Sequence, residues 1–314
     1  MSRYLVTGGA GFIGSNLAAA LAARGDEVRV ADNFVTGRRE NLEGIGGPGG
    51  LELVEGDVAD PAVAARAVAG VEVVFHQAAI PSVPRSIADP VESDRSIVGG
   101  TVAILQAARA AGVRRVVYAG SSSVYGESPE LPKRESMAPL PISPYAVAKL
   151  AGEQYCRLFN DTLGVETVVL RYFNVFGPRQ DPTSEYAAVI PRFLTALLRG
   201  ERPTIFGDGS QTRDFCYVKN AVAANLLAAD APHAAGAVVN VAGGVSITLL
   251  ELVAILNDVC GTHIEPDCVA ARPGDIKHSL AAIDRARELI GFEPTYDVRA
   301  GLAETVDWFR SRAR

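Results

Sequence analysis

Short apolar runs alternate with alanine-rich stretches through the first half of the chain. Tyr4 to Thr7, Glu27 to Ala31, Leu51 to Glu55, Val71 to His76, Arg115 to Ala119 and Thr167 to Arg171 read as strands. Phe12 to Arg24, closed by Gly25, reads as a helix, as do Val91 to Ala111 and Tyr145 to Phe159. Strands and helices in this alternation predict an α/β fold, a Rossmann-type doubly wound parallel sheet covered on both faces. After Arg171 the segments shorten and the loops gain Gly, Pro and Asp, as in Gly207-Asp208-Gly209 and Arg272-Pro273-Gly274-Asp275. The expected division is a dinucleotide domain over 1–170 and a smaller α/β substrate lobe over 171–314. One later strand, near 237–242, is expected to return to the first domain.

Composition narrows the function. The chain has 314 residues, 48% hydrophobic and 21% charged, with a formal charge of −6. Such a chain buries a large core without disulfides or metal. Its acidic balance argues against a nucleic-acid or anionic-membrane partner. Cys156, Cys216, Cys260 and Cys268 are scattered, as are the four histidines, so no metal site is expected. The apolar run after Met1 stops at Gly8, too short for a secretory core, and no stretch is apolar enough to span a bilayer. The expected location is the cytoplasm.

The first strand runs into Thr7-Gly8-Gly9-Ala10-Gly11-Phe12-Ile13-Gly14. Gly8, Gly11 and Gly14 leave no Cβ where a tight turn, a pyrophosphate and a close helix must fit. The helix that opens at Phe12 and Ile13 presents free N–H groups to phosphate. Asp32 closes the second strand, where a carboxylate accepts from an adenosine ribose, so the expected cofactor is NAD rather than NADP. Arg38 and Arg39 follow it and are the side chains that would serve a 2′-phosphate. Asp57 and Val58, past the third strand, are placed to flank adenine, although an Asp there also suits a helix cap.

Tyr145 and Lys149 stand four apart on a predicted helix and share one face. With 9 tyrosines and four lysines in the chain, chance would give such a pair roughly 0.1 times. Ser121-Ser122-Ser123 ends the fifth strand at the sheet edge where open α/β folds bind ligands. A phenol ordinarily ionises near 10, and a nearby ammonium together with an oxidised nicotinamide favours its anion. A tyrosinate can then take a proton from a sugar hydroxyl while hydride leaves the same carbon, with a serine holding the oxygen.

These glycines, with Ser121, Tyr145 and Lys149, resemble the extended short-chain dehydrogenase/reductases that act on nucleotide sugars. Within them the chain is most similar to the UDP-hexose 4-epimerases, in particular the branch acting on UDP-N-acetylglucosamine. The segments that carry this are Ser82-Val83-Pro84-Arg85-Ser86, Ser143-Pro144-Tyr145-Ala146, Arg171 to Gly177, Tyr186 to Pro191, Arg213-Asp214-Phe215 and Arg272 to Asp275. The resemblance covers nearly the whole chain and implies tightly bound NAD. It adds Asn33, Thr36, Gly37, Ala78 and Ala79 to the cofactor residues. On the substrate side it implies Ser82, Ser121, Ser122, Ser123, Tyr145 and Asn174, a uracil slot around Ala188, Val189 and Ile190, a diphosphate clamp of Arg213 and Arg272, and Asp275 on the uridine ribose. Ser279 matches the position that is bulky in glucose-restricted members and small where an N-acetyl group is accepted. Ile97 departs from the Asn of many relatives. The resemblance further implies a homodimer through a four-helix bundle. A 4,6-dehydratase would carry Asp-Glu where this chain has Ser122-Ser123, and an NAD-sensing binding protein would have lost the tyrosine or lysine. A uronate 4-epimerase or decarboxylase is the remaining alternative.

Overall fold

The computed structural model describes residues 2–182, 188–271 and 277–312. Seven parallel strands form its central sheet: β1 (Arg3–Thr7), β2 (Glu27–Asp32), β3 (Leu51–Glu55), β4 (Val73–His76), β5 (Arg115–Ser121), β6 (Glu166–Tyr172) and the returning strand Val238–Val241. Their order across the sheet is β3-β2-β1-β4-β5-β6 and then the returning strand. Strand positions and the doubly wound order agree with the alternation read from the sequence. Side chains alternate between two cores. Tyr4, Val6, Val28, Val30 and Phe75 pack with the helices Phe12–Ala23 and Val218–Asp230. Leu5, Ala31, Val74, Val116 and Tyr118 pack with Pro61–Val68, Gly100–Ala111 and Pro144–Thr162.

The helix expected over 91–111 is not continuous. It is built from Pro90–Asp94, a π-turn at Arg95–Gly99, and Gly100–Ala111. Gly99 and Gly100 sit where the ladder changes register, and glycine resists that change least. The departing residue, Ile97, lies inside this turn and is 1% exposed.

Two strand arginines act as plugs that the alternation did not reveal. Arg29 on β2 donates to Ala67 O and Ala69 O at the C-terminal end of Pro61–Val68, and to Glu52 across the strand register. Arg115 on β5 does the same for Val218–Asp230, donating to Ala228 O and Ala231 O and pairing with Glu166. A cation at a helix C-terminus meets the orphan carbonyls and the negative dipole end together.

Beyond the sheet, Phe176, Phe193, Ile205, Tyr217, Leu252 and Leu302 form a separate core. It packs the helices Val189–Leu198, Leu249–Cys260 and Val298–Arg312 around three small strand pairs. No helix among the described residues is long and apolar enough to cross a membrane.

The ends of β1 and β4 are joined through a buried histidine. Ala78 N donates to Thr7 Oγ1, and Thr7 Oγ1 lies 2.7 Å from His76 Nδ1. His76 Nε2 lies 3.2 Å from Thr101 Oγ1, which donates to Ile97 O at 2.6 Å. Each hydroxyl has one proton to give, so the chain runs one way only: Thr7 donates to Nδ1, and Nε2–H donates to Thr101. Burial, with the Lys149 charge adding to it, lowers the His76 pKa to about 3. The folded state therefore stays neutral at His76 while the unfolded chain gains a proton below about 6.5. Stability from this group is full above that pH and is lost as the pH falls toward 3. Chemical denaturation at pH 7.5 and 5.0 should show the wild type losing about 2 kcal/mol more than His76→Gln over that interval. Equal losses in the two proteins would show that His76 titrates normally.

Candidate active site at the carboxyl edge of the sheet

β1 turns through Gly8, at φ +63°, into the helix Phe12–Ala23. A Cβ on Gly8 would lie 2.8 Å from the Ala78 backbone, and one on Gly14 would lie 2.2 Å from Gly8 O. Gly9 is equally constrained, 2.6 Å from Val30 Cγ1, although the motif did not single it out. Gly11 caps the helix with no side chain, so nothing from a cap covers the N–H groups of Phe12, Ile13 and Gly14. Bare amides at the positive end of a helix dipole, under a turn without Cβ atoms, fit a dinucleotide pyrophosphate.

Asp32 is buried, with Oδ2 accepting from Ala10 N and Oδ1 from Phe34 N. Burial raises its pKa against those amides. Gly37 presses on the carboxylate, since a Cβ there would lie 2.7 Å from Oδ1. Asn33 and Thr36 are exposed on the same loop. Both arginines beside Asp32 are engaged by carboxylates. Arg38 pairs with Asp181 at 2.8 Å. Arg39 pairs with Glu55 at 2.5 Å and lies over the Phe34 ring. Asp57 does not cap the next helix; Asp60 does, accepting from Ala62 N. Asp57 instead accepts from Ala59 N and pairs with Arg95 on the π-turn at 2.8 Å. Burial opposes its ionisation, but those partners and Asn33 hold its pKa below the usual value. Val58 is buried beside it, and Ala78 and Ala79 follow β4 over the glycine turn.

Ser143 caps the helix Pro144–Thr162, accepting from Ala146 N, with Pro144 as its first residue. Lys149, Gly152, Glu153, Cys156 and Phe159 form its buried face. A Cβ on Gly152 would lie 2.2 Å from Tyr118 Oη, so the helix rests directly on β5. Lys149 is 3% exposed and donates to Ala119 O at 2.9 Å. Its ammonium also stands 5.2 Å from the Tyr118 ring centroid and 6.0 Å from that of Tyr145. Burial lowers the Lys149 pKa to about 8. Tyr145, one turn earlier, is partly buried and its amide donates to Ser86 Oγ. Burial raises its phenol pKa, and a hydrogen bond from Ser121 lowers it. Ser121 Oγ also accepts from Ser123 N and Ser123 Oγ, at 3.2 and 2.8 Å. Ser122 opens the short helical turn that follows β5.

The residues assigned to the substrate side form a second group. Asn174, at φ +36°, donates to Asp214 O. Arg213 lies on the strand Thr212–Asp214 and donates to Thr212 O. Ala188 begins the helix Val189–Leu198, and Val189 lines a cavity of about 160 Å³ with Phe193, Thr204, Phe206 and Arg213. Ile190 points into the core. Ser82 caps Val83–Ala88, accepting from Arg85 N. Ser279 is no helix cap: its amide donates to Thr212 O and its carbonyl accepts from Ser246 Oγ. Arg272 and Asp275 lie outside the described residues. Three contacts tie the segment after β6 to the helix Phe12–Ala23 and the loop after β2: Asn16 to Pro178 O, Arg179 to Ser15 O, and Arg38 to Asp181.

The sequence reading missed His76, Thr101, Gly152, Arg95 and Asp214. A glycine three residues after Lys149 was the one local sign of close helix packing; the others needed the fold to bring their partners near.

The family model for NAD-dependent epimerases/dehydratases matches residues 4–242. The UDP-glucose 4-epimerase of Mycolicibacterium smegmatis is 40% identical over 314 residues, covering 99% of this chain and all of that protein. The structure of UDP-N-acetylglucosamine 4-epimerase from Methanobrevibacter ruminantium in complex with UDP-N-acetylmuramic acid is 42% identical, with TM-score 0.94 and 99% of each chain covered. That of UDP-glucuronic acid 4-epimerase from Bacillus cereus, with UDP-glucuronic acid and NAD, is 29% identical, with TM-score 0.89 and 99% of each chain covered. With the glycine cradle and the Ser121, Tyr145 and Lys149 cluster on one sheet edge, this chain belongs to the NAD-dependent epimerase/dehydratase family.

Proposed function

We propose that the protein inverts the C4 hydroxyl of a UDP-hexose through a 4-keto sugar: UDP-glucose and UDP-galactose, together with their N-acetylated counterparts. The observation that carries this reading is Tyr145, beside Ser121 and one turn from buried Lys149, on the sheet edge that also holds the glycine cradle. The M. smegmatis and M. ruminantium relatives support it. The B. cereus neighbour favours a second reading, a uronate substrate. A coupled epimerisation assay on the four UDP-hexoses and UDP-glucuronic acid separates the two.

NAD, when bound, supplies the hydride acceptor and donor and a positive ring charge. Gly8, Gly11, Gly14 and the first turn at Phe12 and Ile13 would hold its pyrophosphate, and Asp32 its adenosine ribose. Tyr145 Oη takes the proton from the C4 hydroxyl and later returns it. Ser121 Oγ, beside that phenol, steadies the oxygen it acts on. With a pKa of about 8, Lys149 is charged at neutral pH and adds positive field beneath the phenol. Arg213 and Arg272 clamp the diphosphate while Asn174 and Asp275 hold its flanks, so the keto sugar presents either face without leaving. An epimerase must bind two faces almost equally, which favours few contacts to the hexose and many to UDP.

We assign the assembly a homodimer. Val91, with Val147, Tyr155 and Leu158, is exposed along the segments 91–111 and 145–159, which the resemblance places in a four-helix interface. The four cysteines are free thiols, three of them buried, which supports a reducing cytoplasm.

Tyr145→Phe should lose nearly all turnover while binding NAD and UDP-sugar as before. Retention of more than about a tenth of wild-type kcat, a loss under about 1.4 kcal/mol, would remove Tyr145 as the base. Cofactor-stripped protein should bind NAD well ahead of NADP, because Asp32 repels a 2′-phosphate and Asp181 and Glu55 already engage the two nearby arginines. Equal affinities in a titration would contradict that assignment. Ser279→Tyr should abolish turnover of the N-acetylhexosamine substrates and spare UDP-galactose; proportional loss of both would sink the pocket assignment.

A further inference from the structure

The carboxylate of Asp214 has no role in the site as described so far, yet the residue is 0% exposed. It ends the strand Thr212–Asp214, directly after Arg213. Its Oδ1 accepts the N–H groups of Gly243 and Gly244, at 2.9 and 3.1 Å, and its Oδ2 accepts that of Ala281 at 3.1 Å. Its carbonyl oxygen accepts from Asn174 Nδ2 at 2.9 Å. Thr212, two residues back, is zipped to the segment before Ala281: its amide donates to Lys277 O, and its carbonyl accepts from Ser279 N. Gly243 makes the approach possible, since a Cβ there would lie 2.7 Å from Phe215 O. Asn174, Arg213 and the stretch carrying Ser279 thus meet at one residue, though they come from distant parts of the chain.

We propose that Asp214 is the positioning residue of the UDP-sugar site, its ionised carboxylate fixing Asn174, Arg213 and Ser279 relative to one another. This rests on the UDP-sugar reading of those three residues. Three N–H donors converging on one side chain require a group that only accepts, and an ionised carboxylate is that group. Asparagine has the same shape but one oxygen, so in either orientation its NH₂ faces an N–H donor. A protonated carboxyl likewise brings a hydrogen into a ring of donors.

The surroundings make this charge responsive to pH. Burial raises the Asp214 pKa to about 6 against the pull of its three amides. Among the described residues no ion pair counters it. The titratable group facing it is Cys216, whose own thiol is pushed up by burial and by the Asp214 charge. Arg213 precedes it on the same strand and donates to Lys277 O, and His278 bonds to Thr212 Oγ1 rather than to the carboxylate. Asp214 is therefore ionised at neutral pH and gains a proton as the pH falls through about 6, loosening the attachment of the Ser279 segment.

The test is calorimetric titration of UDP-galactose into NAD-loaded protein between pH 5 and 8. The diphosphate of a UDP-sugar is a diester that gains no proton in this range, so the ligand contributes no pH dependence of its own. Wild-type affinity should be level above pH 7 and fall about tenfold toward pH 5, the size expected when one buried donor loses its acceptor. Asp214→Asn should bind about tenfold more weakly at pH 7.5, show no further loss at pH 5, and keep its full NAD content. His278→Gln should keep the wild-type profile. Wild-type affinity in Asp214→Asn, an unchanged pH profile in that variant, or a profile abolished by His278→Gln would each overturn the assignment. Should Asp214→Asn fail to fold, a level wild-type profile from pH 5 to 8 would overturn it as well. Wild-type protein that binds no UDP-sugar at any pH would overturn the underlying reading and this assignment with it.

Discussion

The contact on which the site depends is the one between Gly152 and Tyr118. Because position 152 has no Cβ, the helix Pro144–Thr162 rests on β5 with the Tyr118 hydroxyl in the space a side chain would fill. That closeness brings Lys149 Nζ to Ala119 O and takes its charge out of water. A buried ammonium is costly unless it finds an acceptor; here a strand-end carbonyl and the Tyr118 ring offset that cost. Tyr145 sits one turn back on the same helix and inherits its height above the sheet. A methyl group at 152 would lift lysine and tyrosine together and leave the glycine cradle where it is.

The parts of the fold legible in the chain were those governed by local rules. The alternation of strands with helices marks β1 to β6, including the largely exposed edge strand β3, and the glycine turn is legible because steric exclusion acts over a few residues. Tyr145 and Lys149 were legible because helix periodicity alone places them on one face. Long-range partners were not. The π-turn at Arg95–Gly99 left the apolar periodicity of 91–111 nearly undisturbed, so it passed for a plain helix. Asp57 looked like a cap until the chain brought Arg95 beside it. Asp214 carried no sign of its role, since its three donors come from positions 243, 244 and 281.

Arg29 and Arg115 show how far a local pattern can mislead. A charge in a strand ordinarily suggests an edge or a solvated face, yet both lie within the sheet and are nearly buried. They occupy matching places in the two halves of the sheet, β2 beside β3 and β5 beside β6, each paired in register with a glutamate and each closing the end of a covering helix. One solution to the problem of unpaired helix carbonyls has been used twice. It also fixes the depth of two helices by hydrogen bonds with defined lengths, where apolar packing alone would allow sliding.

The tie of Pro178, Arg179 and Asp181 to the helix Phe12–Ala23 and the loop after β2 bears on how such a chain can be recombined. Pro178, Arg179 and Asp181 follow β6, yet their partners Asn16, Ser15 and Arg38 lie near the amino terminus. A chimera cut after β6 would join the first six strands to a foreign strap, leaving Arg38 opposite whatever side chain the donor carries. Cassettes exchanged between relatives must therefore be cut after 182 to keep the pairing intact, and the crossover point natural to the sheet is the wrong one for the protein.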